Sequence, residues 1–231
     1  MNELPPVSPL VKFVRKTTPL SRAREFIAGL APKKIVPTLA GPPKLRNSLG
    51  QGRLGACVGF AFTHFLNTNV VTWYSYGYDY AVDLWEWAKD HDGIAGNEDD
   101  PSGGTYVWVA QRKLRKEGII STSPFIVNEK DLREHLLTIG PAVLSIPWYS
   151  GFDVPTQGNG SRGLIKLSGS VRGGHAILVY WFNQKTNRYW LQQSWTGYAP
   201  FDKYNQIVEM SASDMRKLLN RGGFALGPTK L

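Results

Sequence analysis

Residues 50–61 read Gly50-Gln51-Gly52-Arg53-Leu54-Gly55-Ala56-Cys57-Val58-Gly59-Phe60-Ala61. A glycine-rich segment gives way at Ala56 to a run dense in Ala, Phe, Leu and Val that continues to about Val70, which predicts a buried helix opening at Cys57. A thiol becomes a useful nucleophile when its thiolate is stabilised, and the unpaired amides and dipole of a helix N-terminus do that. Taken alone, Cys57 reads rather as a small buried hydrophobe, the common fate of a free cysteine.

A cysteine nucleophile needs a base, and the chain has four histidines. His64 lies seven residues along the same helix, about 10 Å up its axis at ~1.5 Å per residue, and is too far away. His91 falls at a solvated helix end. His135 stands beside Arg133 and Glu134 on what reads as a surface face. His175 follows Arg172-Gly173-Gly174 and opens the apolar run Ala176–Phe182. Glycines before a histidine at a strand start let another backbone or a substrate come close, so His175 is the candidate base. A structural histidine is the alternative at this point.

Around these residues the pattern is helical first and strand-rich later. Helices are expected at Tyr80–His91, Tyr106–Glu117 and Glu129–Ile139, the last capped by Asn128 and ended by Gly140-Pro141. Strands are expected at Ala142–Pro147, His175–Phe182, Arg188–Ser194 and Gln206–Met210, with Asn183–Asn187 as a hairpin loop. That order is the mark of a two-lobed α+β protein. Residues 1–44, rich in Pro and basic side chains, read as an extension with at most a short helix near Arg22–Leu30. Residues 45–231 read as the folded domain.

Five segments, in order, resemble the papain-like cysteine peptidases. The 50–61 stretch is similar to their nucleophile segment. Gly103-Gly104-Thr105-Tyr106 is similar to their substrate-edge glycines, and Gly140-Pro141-Ala142-Val143 to the start of the second lobe's first strand. Gly173-Gly174-His175-Ala176 is similar to their histidine strand, and Tyr189-Trp190-Leu191-Gln192-Gln193-Ser194-Trp195 to the strand that follows it. The resemblance spans roughly residues 44–227. It implies a helical lobe built on the nucleophile helix, an antiparallel β-sheet lobe, and an active-site cleft between them. It also implies Cys57 as nucleophile, His175 as base, Gln51 as oxyanion donor and Gln193 as the group that orients the imidazole. Trp195 would shield that contact from water, and Gly103, Gly104, Gly173 and Gly174 would lie along the substrate. No cofactor or metal is implied.

The chain departs from the family's pattern in three places. Gln193 stands where the family has asparagine, one methylene longer yet still able to accept from a histidine N–H. Val58 replaces the aromatic residue after the nucleophile. The disulfide cysteines are missing, with Leu54 where one partner would be. A single cysteine permits no intramolecular disulfide, which fits a reducing compartment.

The net charge of +9 is uneven. Residues 1–50 hold nine Lys or Arg against Glu3 and Glu25, a net +7, so the remainder carries +2. The basic arm reads as a solvated tail, a short pro-segment, or a tether to an acidic partner or a larger assembly. It lacks the interleaved aromatics of a nucleic-acid site. No signal peptide is read and no stretch approaches the ~20 apolar residues of a membrane span. A cytoplasmic or virion-associated protein of bacterial or phage type, acting on a peptide or protein substrate, is the expectation. An impaired scaffold that binds peptides or a partner protein is the alternative, and transfer to an amine or isopeptide chemistry is not separated from hydrolysis.

Overall fold

The computed structural model describes residues 37–121, 123–199 and 206–229. The helix expected at Arg22–Leu30 lies outside them. Residues 38 and 39 donate their backbone N–H groups to Leu137 O, and Lys44 N donates to Asn69 Oδ1, so the described part of the extension is laid along the domain.

Helix α1 (Cys57–Leu66) is buried along its whole length, which its all-round apolar sequence requires. It ends four residues short of the expected Val70. Asn67 caps it, the Asn67 side chain is drawn to Asn47 and Tyr76, and Thr68 pairs with Leu45 as an isolated bridge, so the chain is diverted before the apolar run is spent. Helix α2 (Tyr78–Asp90) crosses α1 at Gly59, where a Cβ would overlap Ala81 O and press on Trp85 Cβ. Helix α3 (Val107–Lys116) packs Val107, Ala110 and Leu114 inward.

The second half of the chain forms one eight-stranded sheet. Its members are β1 (Phe125–Ile126), β2 (Ala142–Tyr149), β3 (Thr156–Gln157), β4 (Gly163–Ile165), β5 (Val171–Asn183), β6 (Arg188–Gln192), β7 (Ile207–Ser211) and β8 (Phe224–Leu226). They lie in the order β1-β8-β2-β5-β6-β7-β4-β3, antiparallel throughout except for β4 beside β7. The β5–β6 turn falls where the hairpin loop was expected: Asn183 Oδ1 accepts from Lys185 N and Thr186 N, and Asn187 takes a positive φ of 53°.

Period-two alternation sorts the central strands between two cores. Ala142, Leu144 and Ile146 of β2 and Ile177 and Val179 of β5 face helices α4 (Glu129–Thr138) and α5 (Ala212–Asn220). Val143, Ala176 and Leu178 face α1 and α3 in a second core that includes Cys57. Asn128 caps α4 as expected, its Oδ1 accepting from Asp131 N at 2.9 Å. His135, read from its neighbours as a surface residue, is buried instead. It falls on the α4 stripe of Leu132 and Leu136, its Nε2 lies 3.3 Å from Pro141 O, and Gly227 packs against the ring. No helix among the described residues is long and apolar enough to cross a membrane.

Candidate active site

Cys57 is the first residue of α1. Ala56, at the N-cap, supplies no side-chain acceptor, so the helix dipole acts at the thiol without competition from a capping oxygen. The cysteine is buried and shares its core with Ala176, the residue after His175.

His175 stands near the start of β5, paired with Ile146 of β2. Its ring is enclosed by two indoles, Trp148 and Trp195, each with its centroid 4.8 Å away. His175 Nε2 lies 2.7 Å from Gln193 Oε1. The same Oε1 lies 2.7 Å from Ser194 N. A backbone N–H can only donate, so the atom facing both groups is the amide oxygen, and His175 must donate to it from Nε2. The lone pair of the neutral imidazole is therefore on Nδ1. Burial lowers the His175 pKa to about 4, partly offset by the Gln193 hydrogen bond.

Gln51 is held from the segment that follows β6. Its N–H donates to Ser194 O at 2.8 Å, and Ser194 Oγ donates to its Oε1. Gln51 Nε2 donates to Leu54 O at 2.7 Å, which uses one of its two hydrogens. Ser194 thus touches both carboxamides, Gln193 through its N–H and Gln51 through its hydroxyl. Gln193 Nε2 is buried with no acceptor among the described residues.

The glycine edge has a different support. Trp85 Nε1 donates to Gly103 O and Asn97 Nδ2 to Gly104 O, leaving each carbonyl one lone pair for a further donor. Lys89, buried over the Trp85 ring, donates to Glu98 O and Asp100 O, both at 2.9 Å. Gly55 N donates to Pro101 O, and Gly55 lies so close to Ser102 O that no side chain fits. On the other side, Gly173 and Gly174 pair with Trp148 and Pro147 of β2.

The remaining histidines lie elsewhere. His64 is buried and bonded to Leu49, and His91 is exposed, stacked on Trp87. Ala142 turns to the core under α4. Trp148 went unread, because its contact with His175 depends on cross-strand register. Its Nε1 donates to Asp153 Oδ1 at 3.0 Å, and Asp153 is paired with Arg172. Among the described residues, no group of three or more His, Cys, Asp or Glu is placed to hold a metal.

These positions carry a pH prediction. With burial lowering the His175 pKa to about 4, an imidazolium persists at neutral pH only beside a negative thiolate. In Cys57→Ser, His175 is expected to stay neutral as pH falls from 7 and to take its proton near pH 4, followed by the NMR shift of its ring Cε1–H. Titration at or above 6.5, the ordinary histidine value, would contradict the described enclosure.

No protein-family model matches the sequence, and no curated protein matches it. Solved structures do. The bromelain protease of Ananas comosus, in complex with the E64 inhibitor, matches at TM-score 0.50 and 12% identity over 81% of this chain and 94% of its own. A recombinant stem bromelain precursor matches at TM-score 0.50 and 12% identity, over 80% of this chain and 67% of its own. Xylellain, a cysteine protease from Xylella fastidiosa, matches at TM-score 0.47 and 15% identity over 87% and 91%. At such identities a likeness establishes architecture alone. The two bromelain matches establish it here: the chain has the papain-like α+β fold, a helical lobe against a β-sheet lobe.

Proposed function

We propose that the chain is a thiol peptidase that cleaves peptide bonds through a covalent acyl-enzyme on Cys57. The observation that carries this reading is the hydrogen-bonded series His175–Gln193–Ser194–Gln51, which orders a base and an amide donor on the fold that opens α1 with Cys57. Cys57 Sγ attacks the substrate carbonyl carbon while His175 Nδ1 holds the thiol proton. The second Nε2 hydrogen of Gln51 and the N–H of Cys57 receive the negative oxygen of the tetrahedral adduct. Collapse breaks the C–N bond as His175 gives its proton to the departing amine. Water, deprotonated by His175, then hydrolyses the thioester and restores the thiol. A substrate strand would lie between Gly103-Gly104 and Gly173-Gly174.

A binding scaffold without turnover is the second reading, favoured by one observation: Gln193 in the orienting place, with its own Nε2 unpaired among the described residues. The test is to treat the reduced, full-length protein with E64 and with a fluorogenic peptide library. Stoichiometric adduct on Cys57 together with turnover supports the peptidase. A protein that binds peptides yet gives neither adduct nor product is the scaffold.

A further inference from the structure

Leu49 lies two residues before Gln51, and both of its backbone polar groups are held by side chains. Its N–H donates to His64 Nε2 of α1 at 3.0 Å, and its C=O accepts from Gln206 Nε2, just ahead of β7, also at 3.0 Å. Because the peptide N–H is the donor, Nε2 carries the lone pair of His64 and the ring hydrogen sits on Nδ1. That Nδ1 is buried with no acceptor among the described residues. An unpaired buried donor is unfavourable, and an aliphatic or phenyl side chain would fill the same space in α1 without one. The histidine's compensating gain is an acceptor for Leu49 N–H. Burial takes its pKa down to about 3, so it stays a neutral acceptor through neutral and mildly acidic pH. Between Leu49 and Gln51 there is only Gly50, which packs against the Thr196 hydroxyl.

We infer that His64 is a positioning residue for the oxyanion side of the site: by fixing the Leu49 peptide from within α1 it sets the path of residues 49–51 and the aim of the Gln51 carboxamide. α1 then serves two ends, with Cys57 on its first turn and the anchor of the amide donor on its last. The inference rests on the peptidase reading, but the loop contact can be measured without turnover.

The test uses His64→Met and His64→Gln, side chains of nearly equal shape of which only glutamine offers a strong acceptor. In the Met variant, deuterium uptake in a peptide spanning residues 46–52 is expected to accelerate about tenfold, the worth of one hydrogen bond. kcat is expected to fall by a similar factor at little-changed KM. Alkylation of Cys57 by iodoacetamide, which forms no oxyanion, is expected to keep its wild-type rate. The Gln variant is expected to recover both uptake and kcat. Should the Met variant not fold, His64→Phe takes its place. Unchanged uptake in a folded Met or Phe variant would overturn the inference, as would equal losses in Met and Gln. Accelerated uptake in a chain that shows no turnover even as wild type would retain the loop anchor and remove the peptidase reading instead.

Discussion

His175→Ala lowers kcat/KM on a peptide substrate by at least about 10⁴-fold, the scale seen when one member of a nucleophile–base pair is removed. The expectation follows from the ring's surroundings. Gln193 Oε1, itself identified by Ser194 N–H, places the hydrogen on Nε2 and the lone pair on Nδ1, and the two indoles leave the ring little freedom to turn. Nothing else nearby can take over, since His64 is engaged by Leu49 and His135 by Pro141. Alkylation of Cys57 as a function of pH supplies a second readout. A thiolate held by His175 stays reactive as pH falls below neutral, and that acid limb of the alkylation profile should disappear in His175→Ala. Full turnover by His175→Ala would remove it from the mechanism.

Gln51→Ala carries the second largest effect, a fall in kcat of about 10²–10³-fold, typical for losing one preorganised oxyanion donor. The Gln51 carboxamide is fixed at two points, by Ser194 Oγ on its oxygen and by Leu54 O on one hydrogen, and its backbone N–H is held by Ser194 O. The remaining hydrogen is preorganised and loses little entropy when the oxyanion forms. Iodoacetamide alkylation should continue at the wild-type rate, since displacement of iodide builds no charge on a carbonyl oxygen. A parallel fall in alkylation and turnover would mean that Gln51 supports the thiol rather than the oxyanion.

Much of this arrangement could be read from the chain because its signals are local. The glycine-to-apolar change at Ala56 marks the start of α1 and Asn128 announces α4, whereas the histidine strand, expected from His175, begins at Val171 with Gly173 and Gly174 inside it. Where a neighbour decides, the reading stops. Helix α1 ends at Leu66 because Leu45 and Asn47 capture the next residues, which no window on the helix itself reveals. His135 is inside because Leu132 and Leu136 set its helical face, although Arg133 and Glu134 flank it in sequence. Helix α5 went unread despite a visible cue: Ser211, three residues before Asp214, caps it by accepting from the Asp214 N–H. Strands β1, β3, β4 and β8 are two or three residues long and exist through their partners. In the site, Cys57, His175, Gln51 and Gln193 sit in contiguous motifs. Trp148, Ser194 and His64 act through contacts that the register and the packing of α1 create.

The glycine edge is pinned by a lysine ammonium over an indole and by peptide hydrogen bonds at Gly55 and Gly103, in the region where the papain-like pattern has its cysteines. A thiol reductant therefore has one cysteine to act on, the proposed nucleophile Cys57. Dithiothreitol can be raised to whatever level keeps Cys57 as a thiol without loosening the substrate edge. For this chain the thiol state of Cys57 and the integrity of the framework are therefore independent variables under reduction.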